Sequence, residues 1–133
     1  MSMVHEWALA EAIANYVREY VGEKTVLKKL IISLGELQSI DKDILDFALK
    51  EILRSMGITV QELDYEIESA VLKCRKCGYE WELNKGIFSE DILEAIHFVP
   101  EVIHSYFKCP KCGSRDFDVI RGRGLRIVRI EVV

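Results

Sequence analysis

Hydrophobic positions recur at three- to four-residue spacing almost from the start of the chain. Trp7, Ile13, Tyr16 or Val17, and Tyr20 make one apolar stripe, which predicts a helix over about residues 6–21 with Gly22 as its stop. The period then changes to two. In KKLIISLGEL (28–37), Leu30, Ile32 and Leu34 share one face of a strand, which Gly35 interrupts near its end. Asp41 stands where it can cap a second helix. That helix has the stripe Ile44/Leu45, Ala48/Leu49, Ile52/Leu53 and Met56, and Gly57 as its stop. Leu63, Tyr65 and Ile67 alternate with Glu62, Asp64, Glu66 and Glu68, giving a strand with one apolar and one acidic face. Near the far end Val128, Ile130 and Val132 alternate with Arg129 and Glu131. This basic strand is expected to pair in the same sheet as the acidic one, where opposite charges across strands help modestly.

The order helix, strand, helix, strand, cysteine-rich insertion, strand predicts an α+β class. Two helices pack on a small mixed or antiparallel sheet, with a zinc-ribbon lobe inserted. Residues 1–72 plus 122–133 form the α+β domain and 73–121 the ribbon, with 69–73 and 120–125 as the connections.

The inserted lobe carries all four cysteines, in KCRKCGYEWEL and FKCPKCGSRDF. Cys74, Cys77, Cys109 and Cys112 thus form two Cys-x-x-Cys-Gly knuckles. Two intervening residues let both sulfurs of a knuckle point at one ion, and Gly78 and Gly113 permit the positive φ that turns the chain away. Four thiolates complete a tetrahedral Zn²⁺ site. Tyr79, Trp81 and Leu83 after the first knuckle, and Phe117 and Val119 after the second, alternate as ribbon strands do. A closed four-thiolate shell leaves no open position, so the zinc is read as structural. Between the knuckles, SEDILEAIHFVPEVIHSYF predicts a short helix capped by Ser89 with the stripe Ile92, Leu93 and Ile96. Pro100 then breaks it into an apolar extended stretch. His97 and His104 lie on this insertion, and the better reading of each is a partly buried, hydrogen-bonded histidine.

Composition narrows the function class. Of 133 residues, 50% are hydrophobic and 30% charged, which is ordinary for a globular protein. No apolar run approaches the ~18 residues of a membrane span. The first 25 residues lack a cationic region followed by an apolar core, so a cytoplasmic location is expected. No phosphate-cradling glycine loop is present, and no cysteine nucleophile is left once the metal takes all four thiols. The chain is therefore read as not an enzyme.

The pieces HEWALAEAI (5–13), ISLGELQSI (32–40), CRKCGYEW (74–81), IHFVPEVIH (96–104) and CPKCGS (109–114) together resemble the HypA/HybF family of nickel metallochaperones, in its archaeal form. The resemblance covers essentially the whole chain. It implies a protein that binds Ni²⁺ weakly near its amino terminus as transient cargo and Zn²⁺ tightly in the ribbon. It further implies delivery of nickel to the large subunit of [NiFe]-hydrogenase together with a nucleotide-hydrolysing partner, HypB, and it leaves a homodimer open. By the match to the family's Met-His-Glu, His5 is the nickel histidine and Glu6 its neighbour. His97 matches a histidine that archaeal members add to the nickel shell when partnered. Four residues, Met-Ser-Met-Val, precede His5 here, where the family has one.

A second reading, of another class, is a zinc-ribbon module that binds nucleic acid through Arg121, Arg123, Arg126 and Arg129. Residues 105–133 hold seven Lys or Arg against three Asp or Glu, while the whole chain is −4. That acidic total, and the lack of base-stacking aromatics among the arginines, rank this reading second.

Overall fold

The computed structural model describes residues 4–38, 40–83 and 89–133, with Glu90 and His97 as backbone only. The fold is α+β, as the sequence predicts. The chain divides into two compact units: residues 1–33, 40–66 and 126–133, and residues 34–39 and 67–125.

The first unit contains helices α1 (Val4–Val21) and α2 (Lys42–Ser55), strand β2 (Thr59–Val60) and most of strands β1 (Val26–Gly35), β3 (Leu63–Glu68) and β7 (Leu125–Val132). In α1 the buried residues are Glu6, Ala10, Ile13, Ala14 and Val17, while Tyr16 and Tyr20 are exposed. The expected aromatic stripe is thus displaced. Ala10 and Ala14 let the neighbouring backbone approach, and large aromatic rings do not fit that close face. Helix α2 follows its predicted stripe, burying Leu45, Ala48, Leu49 and Leu53. Its amino end is capped by Asp41 Oδ1, which accepts from the backbone N–H groups of Asp43 and Ile44 at 3.0 and 3.2 Å. Its carboxyl end closes in a Schellman pattern, with Ile58 N–H donating to Leu53 O and Gly57 N–H to Arg54 O.

Strand β1 begins with alternation and ends buried on both faces from Ile32 to Gly35. A strand buried on both faces belongs in the centre of a sheet, and β1 pairs with β2, β3 and β7. β2 lies parallel to it, with Val26 opposite Thr59. The acidic and basic strands share this sheet, as expected, with β1 between them. Their charges are satisfied elsewhere. Lys29 of β1 pairs with Glu62 at 2.9 Å, and Arg129 pairs with Glu131 in its own strand at 3.0 Å.

The second unit is built on the sheet β5–β4–β6, from β4 (Val71–Cys74), β5 (Glu80–Glu82) and β6 (Phe117–Arg121). Residues 71–73, 120, 121 and 125, expected as connections, are strand instead. Leu72 is fully buried and pairs with both Trp81 and Val119. Above this sheet, Leu37, Ala70, Leu72, Leu83, Ile96, Ile103, Phe107 and Phe117 form a small core.

Helix α3 (Glu90–Phe98) is capped as predicted, with Ser89 Oγ accepting from Ile92 N–H at 3.2 Å. The stretch after Pro100 is not extended. It forms a 3₁₀ turn (Pro100–Val102) and then α4 (Ile103–Tyr106). A proline that ends one helix is well suited to the first turn of the next, where its fixed φ fits and its missing N–H is not needed.

Segment 34–39 belongs to this unit through backbone bonds. Gly35 N–H donates to Gly124 O at 2.7 Å, Glu36 N–H to Glu68 O at 2.8 Å and Leu37 N–H to Gly122 O at 2.8 Å. Gly122, at φ +90°, also donates to Glu68 Oε1 at 2.9 Å, and a Cβ there would meet Ala70 Cα at 2.4 Å. No other residue fits that crossing.

Candidate metal centre

The two knuckles are built alike. In the first, Gly78 N–H donates to Cys74 O at 3.0 Å and Cys77 N–H to Cys74 Sγ at 3.4 Å. In the second, Gly113 N–H donates to Cys109 O at 2.8 Å and Cys112 N–H to Cys109 Sγ at 3.5 Å. Gly78 and Gly113 have φ of 78° and 77°, a left-handed turn that a side chain disfavours. Strand pairing of Cys74 with Phe117 places the second knuckle beside the first. Arg75 N–H donates to Asp116 O across the gap, and the Arg75 guanidinium pairs with Asp118.

All four sulfurs lie within 4.8 Å of one another. Cys74 and Cys112 are 3.5 Å apart, Cys77 and Cys109 3.6 Å. A tetrahedron with ~2.3 Å metal–sulfur bonds has ~3.8 Å edges, so the cluster matches a four-thiolate ion with little adjustment. Its ionisation also suits a cation. The Cys77 backbone N–H holds the Cys74 thiol down at about 6. At Cys109, burial is outweighed by the N–H groups of Cys112 and Lys111, and the thiol is lowered. At Cys112, the Ser114 N–H favours the thiolate, yet burial and the three neighbouring thiols together push it up to about 11. Four adjacent thiols do not all ionise together unless a positive ion sits among them. Soft thiolate donors, tetrahedral spacing and a closed shell fit Zn²⁺.

His104 is held in the structure of this unit. Its Nδ1–H donates to Arg115 O at 2.7 Å, and its ring lies 4.4 Å from Phe117. The Arg115 guanidinium donates to the carbonyls of His104, Ser105 and Phe107, satisfying the open end of α4. The hydrogen-bonded reading of His104 matches this geometry. This clasp between the insertion and the second knuckle leaves no periodic signal in the sequence. The side chain of His97 lies outside the described residues.

The amino-terminal candidates stand at the first turn of α1. His5 is half-buried, and Glu6 is 1% exposed. Glu6 Oε2 accepts from Asp41 N–H at 3.0 Å, so the carboxylate joins the starts of α1 and α2. Its Oε1 is buried with no hydrogen-bond partner among the described residues. Residues 1–3 lie outside the described residues.

Residues 3–132 match the family model described as "Hydrogenase/urease nickel incorporation, metallochaperone, hypA". The chain belongs to the HypA family. The hydrogenase maturation factor HypA of Thermococcus onnurineus is 47% identical over 133 residues, covering 97% of this chain and 96% of that protein. HypA of Pyrococcus horikoshii is 44% identical with the same coverage. Among solved structures, one described as the solution structure of HypA protein shares the fold at a TM-score of 0.60 with 15% identity, covering 98% of this chain and 97% of that one. The solution structure of the Ni metallochaperone HypA from Helicobacter pylori gives 0.52 with 16% identity, covering 96% of this chain and 97% of that one. These findings bear out the resemblance and do not favour the nucleic-acid module. Among the described residues, no helix of this HypA-family chain is long and apolar enough to cross a membrane.

Proposed function

We propose that this HypA-family chain carries Ni²⁺ at its amino-terminal end and delivers it, in the cytoplasm, for maturation of the [NiFe]-hydrogenase large subunit. It acts with the nucleotide-hydrolysing partner HypB, by binding and transfer rather than catalysis, while zinc in the Cys74/Cys77/Cys109/Cys112 cluster holds the ribbon. The observation that carries this reading is the family match across residues 3–132. Close curated relatives bear the name hydrogenase maturation factor.

The chemistry of the first turn is consistent with nickel. Ni²⁺ accepts imidazole and square-planar nitrogen sets. His5 supplies an imidazole, and nearby backbone amides complete chelate rings on one face of the ion. Glu6 Oε1, buried and without a hydrogen bond among the described residues, is the oxygen candidate. His97 is the third candidate, joining the shell only with a partner bound. A site with few protein side-chain ligands releases its ion more readily than a closed four-thiolate cage, as delivery requires.

Deletion of the chain from its host tests the role. The hydrogenase large subunit is expected to accumulate without nickel, and high external nickel to restore it. Normal nickel content in the deletion strain would refute delivery.

A further inference from the structure

We propose that the cysteine cluster is also a redox-sensitive site. A hydroperoxide attacks its exposed edge at Cys77 or Cys112, disulfides close between the two knuckles, and the metal leaves. The inference rests on the reading of the cluster as a zinc site.

The cluster is asymmetric in a way that selects where attack begins. Cys74 and Cys109 are each 1% exposed, whereas Cys77 and Cys112 face solvent. Each buried sulfur accepts the N–H of the exposed cysteine in its own knuckle, at 3.4 and 3.5 Å. Such donors stabilise charge on sulfur and reduce its intrinsic nucleophilicity. The exposed sulfurs are the ones a dissolved oxidant reaches first. Each exposed sulfur also has a buried sulfur of the other knuckle at contact distance: Cys112 with Cys74 at 3.5 Å, Cys77 with Cys109 at 3.6 Å.

The chemistry balances in two steps. An exposed thiolate attacks the outer peroxide oxygen. The O–O bond breaks, leaving a cysteine sulfenic acid and an alkoxide, or hydroxide when the oxidant is hydrogen peroxide. The facing thiolate then displaces hydroxide from the sulfenic sulfur and forms the S–S bond. The sulfur pair loses two electrons, the hydroperoxide gains them, and water protonates the departing oxygens. The ion loses two of four donors and is released. A link between knuckles takes over the role of the metal in tying β4 to the second knuckle, so reduction with zinc present reverses the change. A disulfide within one knuckle would leave the two knuckles untied.

The test uses the full chain as isolated, with zinc first counted by metal analysis. Limiting N-ethylmaleimide, followed by peptide mass spectrometry, is expected to label Cys77 and Cys112 several-fold ahead of Cys74 and Cys109. Hydrogen peroxide is expected to release zinc to a chromogenic chelator in step with disulfides 74–112 or 77–109, and dithiothreitol plus zinc to restore the metal. Equal or buried-first labelling, disulfides 74–77 or 109–112, or zinc retained through oxidation would overturn the inference and leave the zinc site standing. A chain with four reduced thiols and no zinc would remove both.

Discussion

Cys74→Ser is expected to abolish tight zinc binding and to disorder the second unit. Cys74 is a fully buried ligand and also the last residue of β4, paired with Phe117 of β6. Serine's hydroxyl is a poor zinc donor and would leave a buried polar group where a metal–thiolate bond is expected. The unit has little to fall back on. Among the described residues its core is eight buried side chains, one of them Ala70, in a segment interrupted by turns and short helices. Structural zinc contributes roughly 10–16 kcal/mol in small zinc peptides at neutral pH, comparable to or larger than the whole stability of many domains, about 5–15 kcal/mol. Thermal unfolding followed with zinc analysis checks this. An early, broad transition with zinc lost is the expected result. An unchanged transition with full zinc would refute the structural role.

His5→Ala is expected to remove nickel and spare zinc. The imidazole is the only side-chain nitrogen ligand assigned in the first turn of α1. Its loss should weaken nickel binding by more than about a hundredfold, or ~2.7 kcal/mol. The fold should tolerate the change, because His5 is half-buried at a helix start and the helix keeps its buried face of Ala10, Ile13, Ala14 and Val17. The Glu6–Asp41 bond that joins the two helix starts is also untouched. Metal analysis after nickel loading gives the answer. Zinc lost together with nickel would mean that the two metals share one site.

Much of this was legible in the sequence, for local reasons. Asp41 and Ser89 announce their helices because a cap is a short-range bond between a side chain and the next turn. The knuckles announce the metal centre because two residues between thiolates, with glycine after, is a local geometry. The unread features depend on partners distant in sequence. Tyr16 and Tyr20 have helical spacing, but a neighbour that approaches Ala10 and Ala14 leaves them outside. The middle position of β1 between acidic and basic strands follows from burial on both faces, which alternation of charge does not reveal. The LGELQ segment joins the cysteine unit only because Gly122 meets Ala70 without a Cβ and Gly35 meets Gly124. The Arg115 clasp on α4 joins residues eight to eleven apart with no periodic mark.

The most direct test of the account is transfer. The nickel-loaded chain is mixed with nickel-free hydrogenase large-subunit precursor, HypB and nucleotide, and nickel is counted on each protein after separation. Nickel moving to the large subunit faster than from an equal amount of free Ni²⁺, and not from the His5→Ala chain, is the predicted result. Nickel that stays on the chain, or that moves no faster than the free ion, would contradict it.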